Sequence, residues 1–507
     1  MEPPSAVVFI SSHLLTMATT VDILLSDLPV EILSHIFSFL PLSDRKSVSL
    51  VCHSWNEQAF NRRLLRNVAL SLSMDWEQAH LDALRKSTRK YRNVFAFFGP
   101  ETCGEFDFEL VNEVLEMFGQ GLESFHCMTN FTAEQTKRIM SCAPNLTQLI
   151  AGVDVRSLSQ QKSDLLELQC LRDLGSLNNM LQFHDLSAPN LTRLSANFTT
   201  RSDADGSSKL LRRLAPQLKN VELFATEYFI PIEDLDFPKL EVLKLSGQMC
   251  KTNDNALRTF FSRLKHLREV RLDFNVEKLV LDVITTASPG IEILHFKNSG
   301  LNPYSICYLE RLKNLKVLSL VVSIYCSGVL DCKPLESVER FCLQLSNLDD
   351  EERIMEGFRR LLPNVTDMNV TLTTLSRPEY ILGHVSRNFS HIKRLTIADT
   401  QYRMLSCRLF QVLRHMKQLE ELTLKCIRVP VVFMLPNQYL HRLKIQNFHW
   451  LIDKDLLMLP EMYPNLKYLE LTWCKKVTAK GVKKLRSLLK DCVVHVDKTT
   501  FSTVDVL

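Results

Sequence analysis

Fourteen cysteines and fourteen histidines are the residues of this 507-residue chain best able to do covalent or metal chemistry, and their spacing supports neither. The cysteines stand at 52, 103, 127, 142, 170, 250, 307, 326, 332, 342, 407, 426, 474 and 492, with no CxxC pair and no Cys/His spacing for a tetrahedral zinc site. They read as free, mostly buried thiols of a reducing compartment. The histidines are isolated, and no HExxH, GxSxG, Walker-type glycine loop or dinucleotide fingerprint occurs. No catalytic, metal-binding or cofactor-binding residue is therefore expected. What remains is the chemistry of binding. Near the C-terminal end Arg442, Lys444, Trp450, Tyr468, Glu470 and Trp473 mix basic, acidic and aromatic side chains of the types favoured as interface anchors. Near the N-terminal end, "LPVEILSHIFSFLPL" (Leu28 to Leu42) is far more apolar than the first helix of a soluble domain needs to be.

Composition bounds the elements that position these residues. Hydrophobic residues make up 46% and charged residues 23%, a globular balance, and 14 glycines are few for an enzyme of tight turns and phosphate loops. The net charge of +4 comes from 61 basic and 57 acidic residues, so no global field calls for a nucleic acid partner. No apolar run is long enough for a membrane span. The opening residues lack a basic n-region and are broken by polar side chains, so a secretory leader is not expected, and Met17 is equally able to serve as a start. Without a leader, the sequons at Asn130, Asn145, Asn190, Asn197, Asn364 and Asn388 would not be glycosylated. So long a chain exceeds one ordinary core, which implies several domains or stacked repeats.

The repeats are explicit. The pattern L-x-x-L-x-L, with other apolar residues allowed, recurs as "LKNVEL" (218), "LEVLKL" (240), "LREVRL" (267), "IEILHF" (291), "LKVLSL" (315), "VERFCL" (338), "VTDMNV" (365), "IKRLTI" (392), "LEELTL" (419), "LHRLKI" (440) and "LKYLEL" (466). These starts lie 21 to 27 residues apart, and weaker members at 191, 171, 146, 122, 91 and 65 extend the series backwards. The period and pattern resemble leucine-rich repeats, each unit a short strand followed by a returning helix. Alternation along the strand sends two apolar side chains inward and leaves Glu269, Arg271, Asp273, Arg394, Arg442, Lys444, Tyr468, Glu470 and Thr472 on the concave face. "DKDLLMLPEMYPNLKYLEL" predicts a helix over 455 to 462, turned into the next strand by "PNL". The last full unit is similar to the cysteine-containing repeat subclass, with Cys474 as a small buried plug below the strand end. The run Lys475, Lys476, Lys480, Lys483, Lys484, Arg486 and Lys490 is expected on a solvated convex helix, the alternative being a dock for an acidic or phosphorylated segment, and "TTRSDADGSSKL" (199 to 210) is a flexible loop.

In the apolar stretch, Leu28, Ile32, Leu33, Ile36, Phe37 and Leu40 form one broad helical stripe, with Ser26 or Asp27 as cap and Pro29 in the first turn. A second segment, "RKSVSLVCHSW", gathers Val48, Val51, Cys52 and Trp55 on one side. Units this short carry more apolar surface than they can bury alone, which implies a partner. The L-P-x-E-I-L-x-x-I-F-x-x-L opening and the V-C-x-x-W close resemble the F-box, over about residues 24 to 64. A departure is Arg45 and Lys46, where the family often carries aliphatic residues. An F-box followed by leucine-rich repeats is similar to the substrate receptors of Skp-cullin-F-box ubiquitin ligases. The resemblance implies a Skp-type adaptor, and through it cullin and RING subunits, docking on Leu28, Pro29, Ile32, Leu33, Ile36, Phe37, Leu40, Val51, Cys52 and Trp55, while His35 and His53 flank the site. It implies repeats that select a protein substrate, a non-catalytic subunit, and residence in cytoplasm and/or nucleus. The alternative is a non-degradative F-box scaffold. The expected fold is α/β: a tail over 1–22, all-α F-box helices over 23–64, a curved solenoid over 65–497 with its parallel sheet concave and helices convex, and a tail over 498–507.

Overall fold

The computed structural model describes residues 28–73, 76–97, 108–153, 166–176, 186–198, 209–225, 235–247, 254–275, 278–298, 303–323, 332–346, 351–373, 378–401, 412–427 and 437–496. The expected tails, the helix caps Ser26 and Asp27, and the loop after Phe198 as far as residue 208 lie outside the described residues. The chain divides into two compact units, one running to Thr129 with Ser141–Leu146 and the other comprising Asn130–Met140 and the chain from Thr147 onward.

The first unit begins with four short helices, α1 (Val30–Ser38), α2 (Leu42–Val48), α3 (His53–Ala59) and α4 (Arg62–Leu65). Three strands follow: β1 (Ala69–Ser73), β2 (Asn93–Phe97) and β3 (Ser124–Phe131). β2 pairs in parallel with both β1 and β3. The helices are therefore built into the same unit as the first strands. Asn93 Nδ2 donates to the carbonyls of Arg66 and Val68, and the Arg89 guanidinium lies 3.8 Å from the Phe60 ring centre.

The second unit contains the strands β4 (Gln148–Val153), β5 (Leu166–Glu167), β6 (Asp173–Ser176), β7 (Leu186–Ser187), β8 (Arg193–Phe198), β9 (Asn220–Ala225), β10 (Val242–Gly247), β11 (Glu269–Asn275) and β12 (Ile293–Asn298). It continues through β13 (Val317–Ser323), β14 (Arg340–Ser346), β15 (Asp367–Leu372), β16 (Arg394–Asp399), β17 (Glu421–Lys425), β18 (Arg442–Gln446), β19 (Tyr468–Thr472) and β20 (Val493–Val496). β4, β6 and β8 to β20 pair in that order, each parallel to the next. The sheet is open rather than closed on itself, and β5 pairs separately with β7. This is the α/β repeat architecture that the spacing implies.

The register explains the leucine pattern. In each central strand the second and fourth positions, such as Leu243 and Leu245, Phe341 and Leu343, or Leu443 and Ile445, are buried. Each such side chain contributes about 1.5–3 kcal/mol relative to exposure. A single strand has nothing to bury them against, and stacking supplies it. The Pro-Asn turns add a ladder: Asn145, Asn190, Asn364 and Asn465 each donate Nδ2 to a backbone carbonyl of the preceding turn, on Gln120, Gln169, Glu336 and Gln438. Three of these asparagines belong to the sequons, so their presence has a structural reason. The expected helix over 455 to 462 is instead two turns, Asp453–Leu456 and Leu459–Met462, with Pro460 at the start of the second. Proline has no N–H with which to continue the first turn.

Candidate functional site

The broad apolar stripe of α1 is two stripes one residue apart. Leu33 and Phe37 point inward, each 2% exposed, and pack with Ala59, Phe60, Leu65 and Val68; Leu28, Leu40, Val48 and Trp55 lean partly buried against that core. Trp55 meets the Phe37 ring edge-on at 5.4 Å. Ile32 and Ile36 lie on the outer stripe at 47% and 39% exposure, continued by Phe39 at 75%. The two stripes lie about 100° apart on the helix, so the face against the protein's own core and the face left in solvent are different faces of α1.

The second apolar segment is not one helix. α2 stops at Val48, a turn carries Ser49 to Val51, and Cys52 adopts an extended conformation (φ −159°, ψ 170°) that starts α3. The break turns Val48 and Trp55 toward the core and leaves Leu50, Val51 and Cys52 outside, Leu50 and Val51 at 86% and 63% exposure. Of the ten residues expected to meet an adaptor, Pro29, Ile32, Ile36, Val51 and Cys52 are thus exposed, Leu28, Leu40 and Trp55 are half-buried, and Leu33 and Phe37 are core. The last two are enclosed by the chain's own fold, which leaves the exposed residues as the surface on offer. Val30, Phe39 and Leu50 are exposed apolar residues that the sequence reading missed. For Phe39 the signal was present in the i, i+4, i+7 spacing of Ile32, Ile36 and Phe39.

Polar contacts hold this arrangement in place. Asn61 caps α4 by accepting from Leu64 N and donates Nδ2 to Ser34 Oγ on α1. Arg45, the departure from the aliphatic pattern, turns inward and donates to the Leu64 carbonyl at 3.0 Å, while Lys46 is exposed. His35 stacks edge-on to Phe39 and His53 pairs with Glu57 at 3.7 Å, so both lie at the rim of the exposed apolar surface.

The second surface is the open face of the other unit. Arg442, Lys444, Tyr468 and Glu470 occupy alternate positions of β18 and β19 and are at least partly exposed. They are largely occupied with one another and with neighbouring strands. Lys444 Nζ meets Glu421 at 3.0 Å, Tyr468 donates to Glu470, and Arg442 lies over the Tyr468 ring. Arg340 and Arg394 converge on Asp367 at 2.8 and 3.2 Å. Trp450 and Trp473 lie just past their strands at 48% and 49% exposure. Cys474 is fully buried, and burial pushes its thiol up to about 11, so it is a plug with almost no thiolate at neutral pH. Among the described residues no group of His, Cys, Asp and Glu could hold a metal ion, and no helix is long and apolar enough to cross a membrane.

Comparison with known proteins agrees with the N-terminal geometry. Residues 25–71 match the F-box-like family. A curated relative, F-box/LRR-repeat protein 12 of Bos taurus, is 47% identical over 47 residues, which is 9% of this chain and 14% of the relative, so the match spans about one seventh of that protein. Among solved structures, a chain in the crystal structure of the Rad7 and Elc1 complex in yeast aligns over 89% of this chain and 90% of its own length. The identity there is 13% and the TM-score 0.34, too loose a likeness to carry an argument. Residues 25–71 are thus an F-box-like segment, followed in the same polypeptide by a repeat-like parallel sheet.

Proposed function

We propose that this chain is the substrate-recognition adaptor of an SCF-type cullin-RING ubiquitin ligase, its F-box docking a Skp-type adaptor and its repeats holding a target protein. The observation that carries the reading is that Ile32, Ile36 and Phe39 on α1 and Leu50 and Val51 on the following turn face solvent, outside a separate core that does not need them. Apolar side chains exposed side by side are the mark of an interface. In this reading the chain does no chemistry of its own. It raises the local concentration of a target lysine near the conjugating enzyme, to about millimolar by tethering, and the rigidity of stacked repeats limits the search for a reactive geometry. The proposal carries a location with it, cytoplasm and/or nucleus, where cullin complexes operate.

Affinity capture of the full chain tests the reading. Recovery of a Skp-type adaptor and a cullin is expected from the wild type, and loss of both from a variant with Leu50→Asp and Val51→Asp. Depletion of the chain should raise the level of a protein that co-purifies with the repeats. A bound protein whose level ignores depletion would instead favour a non-degradative scaffold, and unchanged adaptor recovery from the double variant would sink the F-box docking assignment.

A further inference from the structure

Directly after β17, β18 and β19 the chain takes the same left-handed turn, at Cys426 (φ 57°), Asn447 (φ 62°) and Trp473 (φ 56°). The turn belongs to the repeat: Cys426 N donates to the carbonyl of Gln446 and Asn447 N to that of Thr472, each one strand further along. The residues that follow, Ile427, Phe448 and Cys474, are buried. A left-handed position suits glycine or asparagine and disfavours a large side chain. Trp473 is therefore set against the backbone preference, and at 49% exposure it fills no core in return. Neither the turn nor the packing of this fold calls for tryptophan there.

These strand ends line a hollow of about 620 Å³, with Lys425, Asn447, His449, Trp473 and Lys475 on its walls and no carboxylate among the described residues that line it. Its electrostatics differ from those of the strand bodies beside it. There the cations are ion-paired, Lys444 with Glu421 and Arg340 and Arg394 both with the single Asp367. Lys425 and Lys475 have no ion-pair partner among the described residues. Next to the hollow, Lys476 lies 4.6 Å from the ring centre of the exposed Trp450, which adds a further positive charge held over an apolar surface.

We infer that this hollow is where the target protein docks, and that it takes an acidic segment in which Asp or Glu side chains flank one apolar residue. The carboxylates meet Lys425 and Lys475, and the apolar side chain lies on the Trp473 indole. The hollow has room for a few side chains and not for a domain. Carboxylate is favoured over phosphate because the cations among the described lining residues are lysines, whereas phosphate is best held by the bidentate guanidinium fork. The inference rests on the adaptor reading for its biological sense, though not for its test. It also moves the substrate contact from the mutually engaged Arg442, Lys444 and Glu470 to the unpaired lysines and the strained tryptophan at the strand ends.

The test uses the full chain and a fluorescein-labelled peptide of one leucine flanked on both sides by glutamates, read by anisotropy. Saturable binding that weakens with added salt is expected, with a loss of at least about tenfold for the glutamine version of the peptide, as for removing a hot-spot contact. Trp473→Asn places at this turn the residue that Asn447 supplies one repeat earlier. It should keep the thermal midpoint or raise it while weakening the peptide at least about tenfold, and Lys425→Glu with Lys475→Glu should abolish binding. A chain with Leu50→Asp and Val51→Asp should bind the peptide as the wild type does, so failure of the adaptor reading and failure of this one are told apart. No saturable binding up to about millimolar, undiminished binding by Trp473→Asn, or a phosphoserine peptide binding far more tightly than the glutamate peptide would overturn the inference.

Discussion

Phe37→Ala and Leu50→Asp should separate folding from docking within the F-box region. Phe37 is 2% exposed, in contact with Trp55 and enclosed by Leu33, Ala59, Phe60, Leu65 and Val68. Truncating a buried phenylalanine costs about 3–5 kcal/mol, because lost transfer energy adds to the cavity left behind. Only six buried side chains of the described residues, Phe37 among them, make up this core, so a loss of that size should loosen α1 to α4 in the adaptor-free chain. Leu50 is 86% exposed, and replacing it should shift stability by no more than about 0.5 kcal/mol, the usual span for surface positions. If its side chain is covered by an adaptor, the lost burial alone is worth about 2 kcal/mol, roughly thirtyfold in affinity. Limited proteolysis between Val30 and Leu65 reads the first quantity, and calorimetric titration with a purified Skp-type adaptor reads the second. Protease resistance of Phe37→Ala equal to the wild type, or full affinity of Leu50→Asp, would refute the division of α1 and the following turn into inner and outer faces.

Three further outcomes follow from the repeats. Asp453 accepts hydrogen bonds from both Thr478 N and Thr478 Oγ1, and Thr478 Oγ1 in turn caps the final helix, Ala479–Leu488, at Gly481 N. Asp453→Ala should therefore cost about 1.5–3 kcal/mol, the range for hydrogen bonds to a charged group, with faster amide exchange confined to that helix and β20. A methyl group on Gly481 would collide with the Asp453 carboxylate, so Gly481→Ala should produce the same local loosening, checked by the same exchange experiment. Burial lowers the His295 imidazole from its ordinary 6.5; the Asp273 carboxylate opposes this in part and Arg271 adds to it. The folded state then binds the proton less readily than the unfolded chain, so this residue's contribution is complete above about pH 6.5 and declines as pH falls toward the folded value. Urea midpoints between about pH 5 and pH 7.5 should fall less on acidification for His295→Gln than for the wild type; equal slopes would contradict the assignment.

The repeat was legible because one physical requirement recurs: each strand must bury its second and fourth side chains, and a period of 21 to 27 residues is hard to mistake. Even the weak member at 171 forms a strand, Asp173–Ser176, since its neighbours supply the ladder that its own sequence lacks. β20 escaped notice because "VVHV" is too short to display the pattern, and β19 holds it in place. The F-box spacing was legible as a motif, yet the motif does not distinguish side chains that build the core from those that meet a partner. Leu33 and Ile32 are adjacent in sequence and alike in chemistry, and only the rotation of α1 against Phe60 and Leu65 sorts them. On the open face the reverse held. Arg442, Lys444 and Glu470 drew notice as charges, yet Lys444 is paired with Glu421 on the preceding strand, a contact over more than 20 residues that local pattern does not reveal, and Tyr468 engages the other two. The left-handed turn at Trp473 has no sequence signal either, since tryptophan is not a residue from which that conformation is read.

Hydrogen exchange on the full chain, with and without a purified Skp-type adaptor, tests the central claim most directly. The account predicts new protection at the outer stripe and the turn, Val30 to Leu40 and Ser49 to His53, with the repeats from β4 onward unchanged. Protection in the repeats without any in α1 and the turn, or no protection at all under saturating adaptor, would contradict it.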